Sequence, residues 1–382
     1  MKRFFLYMTC NQIINFIESW APKGAAWQKD NPGLQAGDPG AQVENIFLCL
    51  ELTQEAFDEA LKRKCNFIFT HHPLIFQPIK KLNLQSDKTS ILLSGLIKNN
   101  ITLYSAHTNL DFTKGGVSYQ LAEELGLQNI RFIENLENTL YKLNVFVPAK
   151  DADALAEALF AAGAGTIGEY KKCSFRSSGM GTFEGSGSSN PAIGSPEKFE
   201  MVDEVKLELS VESWNLDKAV SALIKNHPYE EPAFDIFPSV SKNSNFGYGA
   251  IGELPEEMAQ DKFLAYTAGK LNLPGLRYCS GKSGKIKTVA VCGGSGSDLI
   301  AKTVQLKADA FVTADIKYHP FQDADGKILL IDAGHYETEV IALKGVKSRL
   351  EAFLAENKSD INIYIYGGST SPVKFLTIKE RT

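Results

Sequence analysis

The residues with the most chemical content are histidines and carboxylates that fall just after short apolar runs. His71 and His72 stand side by side between Phe67-Ile68-Phe69-Thr70 and Pro73. Neighbouring side chains on an extended strand point to opposite faces. Two adjacent imidazoles at a strand tip therefore diverge onto two metal ions, or one binds while the other packs; a plain polar cap on the strand is the competing reading. His107 and Asp111 follow the apolar run Ile101-Thr102-Leu103-Tyr104, and His335 and Glu339 follow Ile328-Leu329-Leu330-Ile331-Asp332. Each of these pairs is spaced i to i+4, which a helical turn places on one face. Counting His319 in Asp315-Ile316-Lys317-Tyr318-His319, five of the six histidines follow predicted strands. Open α/β sheets carry their sites at the carboxyl ends of strands.

Imidazoles mixed with carboxylates suit Zn²⁺, Fe²⁺ or Mn²⁺, and the set is neither thiolate-only nor all-oxygen. A carboxylate can bridge two ions about 3.5–4 Å apart, the separation of two-metal hydrolytic sites, which activate water near neutral pH. Gly293-Gly294-Ser295-Gly296-Ser297-Asp298 joins a strand to a helix and is either an anion cradle or a tight, capped turn. It matches neither GxxxxGK[ST] nor a full GxGxxG, because Leu299 stands at the last glycine's place. His227-Pro228-Tyr229-Glu230-Glu231-Pro232 reads as a rigid turn, with a ligand contact as the alternative.

The elements that must position these residues alternate along the chain. A helix over 11–20 leads to a Gly/Pro/Asp-rich loop over 30–40, then a strand at 46–50 and a helix over 54–64 with Thr53 as N-cap. A strand at 67–70, a helix over 90–99 and a strand at 101–104 complete the first segment. From about residue 246 the order recurs: a strand at 288–292, a helix over 298–307, and strands at 310–313 and 328–332. With Ala106-His107-x-x-x-Asp111 matching Gly334-His335-x-x-x-Glu339, this predicts an internal duplication. The expected fold is α/β, two related half-domains forming one layered metal-binding unit. Between them the order β-α-β-β-α-β predicts an inserted α+β, ferredoxin-like domain. Its alternating strand over 202–211 exposes the charges of Glu204, Lys206 and Glu208. The expected domains are 1–138, 139–243 and 244–382.

Composition limits the functional class. A chain of 382 residues, 44% apolar and 22% charged, has material for two or three folded domains. A net charge of -5 provides no electrostatic footprint for nucleic acid. Six cysteines without a CxxC pair read as small buried hydrophobes in a reducing compartment, so the expected location is cytoplasmic. The N-terminal run Lys2-Arg3-Phe4-Phe5-Leu6-Tyr7-Met8 is too short for a signal peptide's apolar core, and Met8 is an alternative start. No apolar stretch is long enough to span a bilayer.

Four segments in order, Phe69-Thr70-His71-His72-Pro73, Ala106-His107-Thr108-Asn109-Leu110-Asp111, Asp315-Ile316-Lys317-Tyr318-His319 and Gly334-His335-Tyr336-Glu337-Thr338-Glu339, resemble the NGG-interacting-factor-three-like family. Its members are labelled GTP cyclohydrolase I type 2 homologues or dinuclear metal centre proteins. The middle segment, with Cys173-Ser174-Phe175, Gly181-Thr182-Phe183 and Asn226-His227-Pro228-Tyr229, resembles the PII/CutA-like insertion of longer members. The resemblance implies two divalent ions held by His71, His72, Asp111, His335 and Glu339, with His107 and His319 near the site. It also implies a toroidal homohexamer whose metal sites face an internal cavity. The chain departs from the pattern at Glu51, where Asp is usual, at Ala314, and at Gln28-Lys29, which lengthen a loop. The expected function is metal-dependent hydrolysis of a nucleotide-like substrate, GTP being the named example, by metal-activated water. The alternative is a non-catalytic, metal- or nucleotide-responsive assembly gated by the inserted domain.

Overall fold

The computed structural model describes residues 7–282 and 284–376; the N-terminal run up to Leu6 lies outside them. The chain divides into two compact units: Asn135–Asn245 form one, and the segments before and after them together form the other. The fold is mixed α/β.

The larger unit holds two sheets built on the same plan. In the first, Asn45–Cys49, Phe67–Thr70 and Thr102–Ser105 run parallel, with Gly33–Ala36 antiparallel against the third. In the second, Lys285–Ser295, Ala310–Ala314 and Leu329–Asp332 run parallel, with Arg277–Cys279 antiparallel against the third. Parallel strands covered on both faces lose their polar alternation. Accordingly, Phe67–Thr70, Thr102–Ser105 and Leu329–Asp332 are buried at every position, and they appear in the sequence as continuous runs. Some helix starts are capped by side chains whose types favour it. Thr53 accepts a hydrogen bond from the Ala56 amide, and Asp87 accepts one from the Ser90 amide.

The two halves also exchange elements. Asn362–Ile365, from the C-terminal segment, pairs parallel with Asn45–Cys49 in the first sheet. Gln128–Arg131, from the N-terminal segment, pairs with Ala250–Ala259 in the second. Helix Ala342–Glu356 sends Leu343, Val346, Leu350 and Leu354 into the first sheet's core, beside Ile46, Phe67 and Phe69. Helix Val117–Glu124 sends Leu121 and Ala122 into the second sheet's core, beside Val289, Val291 and Val312. Truncating one such buried leucine to alanine costs about 2–5 kcal/mol, so each half depends on apolar surface from the other. The halves are related in plan but interlocked in space.

The smaller unit has an antiparallel sheet in the order Phe234–Ser239, Leu140–Pro148, Phe199–Glu212, Phe175–Glu184. Helices Ala152–Ala161 and Leu216–Asn226 place Leu155, Leu159, Ala219 and Leu223 against Leu143, Val145, Leu207 and Leu209. Its chain order is β-α-β-β-α-β. All six cysteines are free thiols, and Cys10, Cys49 and Cys65 are buried. No helix among the described residues is long and apolar enough to cross a membrane.

Candidate metal centre

The tip of strand Phe67–Thr70 is pinned where the chemistry begins, because the amides of both His71 and His72 donate to the Leu50 carbonyl, at 3.1 and 2.9 Å. The His71 side chain is only 1% exposed, and its Nδ1 lies 2.8 Å from the Ala106 carbonyl oxygen. A carbonyl only accepts, so Nδ1 carries a proton and Nε2 is the nitrogen left to face the centre. Three more histidines are held at the same nitrogen. His72 Nδ1 is 2.8 Å from Glu51 Oε1, His335 Nδ1 is 2.7 Å from Asp315 Oδ2, and His107 Nδ1 is 2.8 Å from Asp30 Oδ1. Metal-ligating histidines are oriented in this way, with one nitrogen fixed by a carbonyl or carboxylate and the other left for the ion.

The free nitrogens converge on two carboxylates. His71 Nε2 lies 3.4 Å from Asp111 Oδ1 and 3.8 Å from Glu339 Oε1. His72 Nε2 lies 3.1 Å from Glu339 Oε2, and His335 Nε2 lies 3.1 Å from Glu339 Oε1. Three sets result, each with ligand atoms within 4.8 Å of one another: His71, His72 and His107; His72, His335 and Glu339; His71, Asp111 and Glu339.

Whether these atoms suit an ion is decided by their hydrogen bonds. His71 Nε2, Asp111 Oδ1 and Glu339 Oε2 are buried and make none, although each has a polar atom within 3.4 Å. An unpaired buried polar group costs about 1–3 kcal/mol, so three within one cluster of ligand sets call for cations. Imidazole nitrogens with carboxylate oxygens are the donor set of Zn²⁺, Fe²⁺ and Mn²⁺. On one side the backbone closes tightly on this cluster. A Cβ at Gly294, whose φ is +61°, would fall 2.3 Å from Glu339 Oε1 and 3.2 Å from His335 Nε2.

The electrostatics describe a cluster balanced by protons when no ion is bound. Burial would raise the Glu339 carboxyl, but His71 and then His335 outweigh it and hold it well below the ordinary range. Burial opposes protonation of His72, yet the carboxylates of Glu339 and Glu51 beside it raise it to about 10. His335 is raised to about 9, chiefly by its bond to Glu339 and against its own burial. Asp111 is pushed up to about 7 by burial, which His71 only partly offsets. The supporting carboxyls Asp30, Glu51 and Asp315 all lie below their usual values: burial opposes this, and bonds from His107, from His72 and from Ser295 and His335, respectively, prevail.

His71, His72, Asp111, His335 and Glu339 thus come together, and His107 stands beside them. His335 and Glu339 pair within the turn His335–Glu339. His107 and Asp111 share no ligand set, because His107 turns to Asp30 and to the rings of His71 and His72 while Asp111 faces His71. His319 is exposed on helix Tyr318–Ala324, bonded to Gln322, and belongs to none of the three sets. The glycine run after Cys292 is not a free anion cradle. The Gly293 amide donates to Ser118 Oγ and the Gly294 amide to Thr338 Oγ1. Asp30, Glu51 and Asp315, which orient three of the histidines, were not among the residues singled out by type and spacing. The available signal for Glu51 and Asp315 is that each follows a strand end by one or two residues.

Comparison with known proteins gives a consistent result. Residues 8–372 match the model of the Duf34/NIF3 (NGG1p interacting factor 3) family. A Halalkalibacterium halodurans protein named GTP cyclohydrolase 1 type 2 homolog is 37% identical over 95% of this chain and 98% of its own length. A Bacillus subtilis protein of the same name is 36% identical over 96% of this chain and 98% of its own. The crystal structure of a Bacillus cereus protein related to NIF3 superposes with a TM-score of 0.81 at 34% identity, covering 97% of this chain and 99% of that one.

Proposed function

This chain belongs to the Duf34/NIF3 family, and on that premise we propose that it is a dinuclear metal-dependent hydrolase of a nucleotide-like substrate. The observation that carries the reading is that His71, Asp111 and Glu339 form one ligand set, while His71 Nε2, Asp111 Oδ1 and Glu339 Oε2 are buried and without hydrogen bonds. His71, His72, Asp111, His335 and Glu339 would hold two divalent ions, with Glu339 common to two of the ligand sets. Such ions supply Lewis-acid charge and an activated water. The chain's own residues do the rest. The Ala106 carbonyl, Glu51 and Asp315 fix which nitrogen of His71, His72 and His335 faces the centre. His107, backed by Asp30, borders the adjacent cavity and is placed to exchange a proton with a substrate there. The family name on the curated relatives makes GTP the first substrate to offer. Family resemblance also supports a cytoplasmic homohexamer with a PII/CutA-like insertion, which light scattering on the purified protein tests for its assembly state.

The test combines elemental analysis with turnover. Metal-loaded protein is expected to carry two ions per chain and to release formate from GTP, with both lost in the double variant His72→Ala, Glu339→Ala. Two ions and tight nucleotide binding without turnover would favour a regulatory assembly. Absence of bound metal at physiological zinc, iron and manganese would overturn the reading.

A further inference from the structure

A cavity of about 390 Å³ opens beside the ligand cluster, and His107, Asp111, His335 and Glu339 form part of its wall. That size is at the small end of ligand sites. Trp27, Phe112 and Tyr248 also line it, and their rings contact one another in sequence, Trp27 to Phe112 at 5.3 Å and Phe112 to Tyr248 at 4.7 Å, both edge-on. Trp27 is 57% exposed, unusual for so large an apolar side chain. Its backbone amide donates to Thr108 Oγ1, tying it to the same short helix that carries Asp111.

The remaining wall is acidic. Glu134 and Asp298 add carboxylates beyond the ligands Asp111 and Glu339, and no lysine or arginine among the described residues lines the cavity. The nearby Lys302 meets Glu134 at 3.4 Å. In the glycine run, the amides of Gly293 and Gly294 are already bonded to Ser118 and Thr338. Phosphates are housed by Arg or Lys side chains, by unclaimed backbone amides or by metal ions, and among the described residues this wall offers no Arg or Lys side chain. Aromatic rings with carboxylate acceptors are instead the complement of a flat ring bearing N–H donors.

We propose that this cavity receives a flat heteroaromatic ring, neutral or cationic and carrying N–H donors, and that any phosphate groups of the substrate stay outside it. This rests on the nucleotide-like reading above and narrows it to the ring end of the molecule. Trp27 supplies the stacking surface, and Glu134 and Asp298 the acceptors.

Calorimetric titration of the full chain, metal-loaded and metal-free, with guanosine, GMP and GTP tests the proposal, the metal-free arm separating contacts with the walls from contacts with ions. The expected result is dissociation constants within about threefold across the series in both forms. Trp27→Ala is expected to weaken all three at least tenfold, and the double variant Glu134→Gln, Asp298→Asn to weaken guanosine. GTP binding tenfold or more tighter than guanosine in both forms would overturn the proposal and leave the nucleotide reading standing. If the purines fail to bind but N-methylquinolinium binds in a Trp27-dependent way, the nucleotide reading falls and the ring cavity stands. If neither purine nor quinolinium binds, the ring cavity is overturned whatever the metal content.

Discussion

Two histidine environments in this molecule are put together on opposite principles. In the Asn135–Asn245 unit, His227 uses both ring nitrogens: Nε2 donates to the Phe146 carbonyl at 2.9 Å, and Nδ1 accepts from the Tyr229 amide at 3.1 Å. Tyr229 in turn donates its hydroxyl to Glu204 Oε1 at 2.9 Å. In the larger unit, His71, His72, His107 and His335 are each held at Nδ1, and the opposite nitrogens of His71, His72 and His335 are turned toward Asp111 and Glu339. Burying a histidine is therefore not in itself a sign of function. The sign is bonding capacity left over on several side chains and aimed at one point. The smaller unit has isolated unpaired atoms too, on Asn144, Asp151 and Asn243, but among the described residues it has no set of three ligands.

The sharpest way to break this contrast is to remove the carboxylate common to two ligand sets. Glu339→Ala is expected to abolish stoichiometric metal binding, from two ions per chain to a small residual fraction by elemental analysis, whereas His227→Gln leaves metal content unchanged. Equal metal content in both variants would mean that leftover bonding capacity does not identify the site. Chelation is the next largest lever. A ligand present at about a thousand times its dissociation constant stabilises the folded state by about 4 kcal/mol. Stripping metal is therefore expected to lower the thermal midpoint of the larger unit by about 10 °C, with protection of Asn135–Asn245 in hydrogen exchange unchanged. A loss of protection spread evenly over both units would contradict the assignment of the metals to one of them.

Much of this arrangement is legible in the sequence, for reasons that also explain what is not. Phe67-Ile68-Phe69-Thr70 and Ile328-Leu329-Leu330-Ile331 announce themselves because strands buried on both faces are apolar throughout. Histidines at their tips follow directly. The edge strands Gly33–Ala36, Arg277–Cys279 and Gln128–Arg131 are short and partly or largely exposed, so they leave no periodic trace. The exchange of Gln128–Arg131 and Asn362–Ile365 between sheets is a pairing of distant segments, and local pattern carries no information about it. Asp30 is the clearest loss at the site. It lies in an irregular loop, and only the folded chain brings it to His107 and Thr108.

A third intervention tests the residues behind the ligands. Asp315→Asn keeps the size of the side chain but removes the charge that orients His335. Loss of such a partner typically costs 10–100-fold in metal affinity, and about that reduction is expected in competition with a chromogenic chelator. The corresponding change on the other side of the comparison, Glu204→Gln opposite Tyr229, is expected to leave metal affinity untouched. If Asp315→Asn also bound metal normally, the Nδ1 partners would be packing contacts rather than part of the centre.

The smallest expected effect concerns pH and lies wholly within the smaller unit. His227 is held as the neutral tautomer with its proton on Nε2, because Nδ1 must accept from the Tyr229 amide. Burial, only partly countered by the Phe146 carbonyl and the charge of Glu204, places its pKa below histidine's ordinary 6.5. Protonating Nδ1 would set two N–H groups against each other. Below pH 6.5 the unfolded chain therefore binds more protons here than the folded one, so acid favours unfolding. This part of the unit's stability is complete above that pH and is lost as pH falls through the lower, folded value. Hydrogen exchange over residues 223–239, corrected for the intrinsic pH dependence of exchange, is expected to show less protection at pH 5.5 than at 7.5. His227→Gln should flatten that difference at the cost of lower protection at both. If the wild-type segment were equally protected at the two pH values, the satisfied histidine would not be committed to one tautomer, and the contrast with the four histidines of the metal cluster would lose one of its sides.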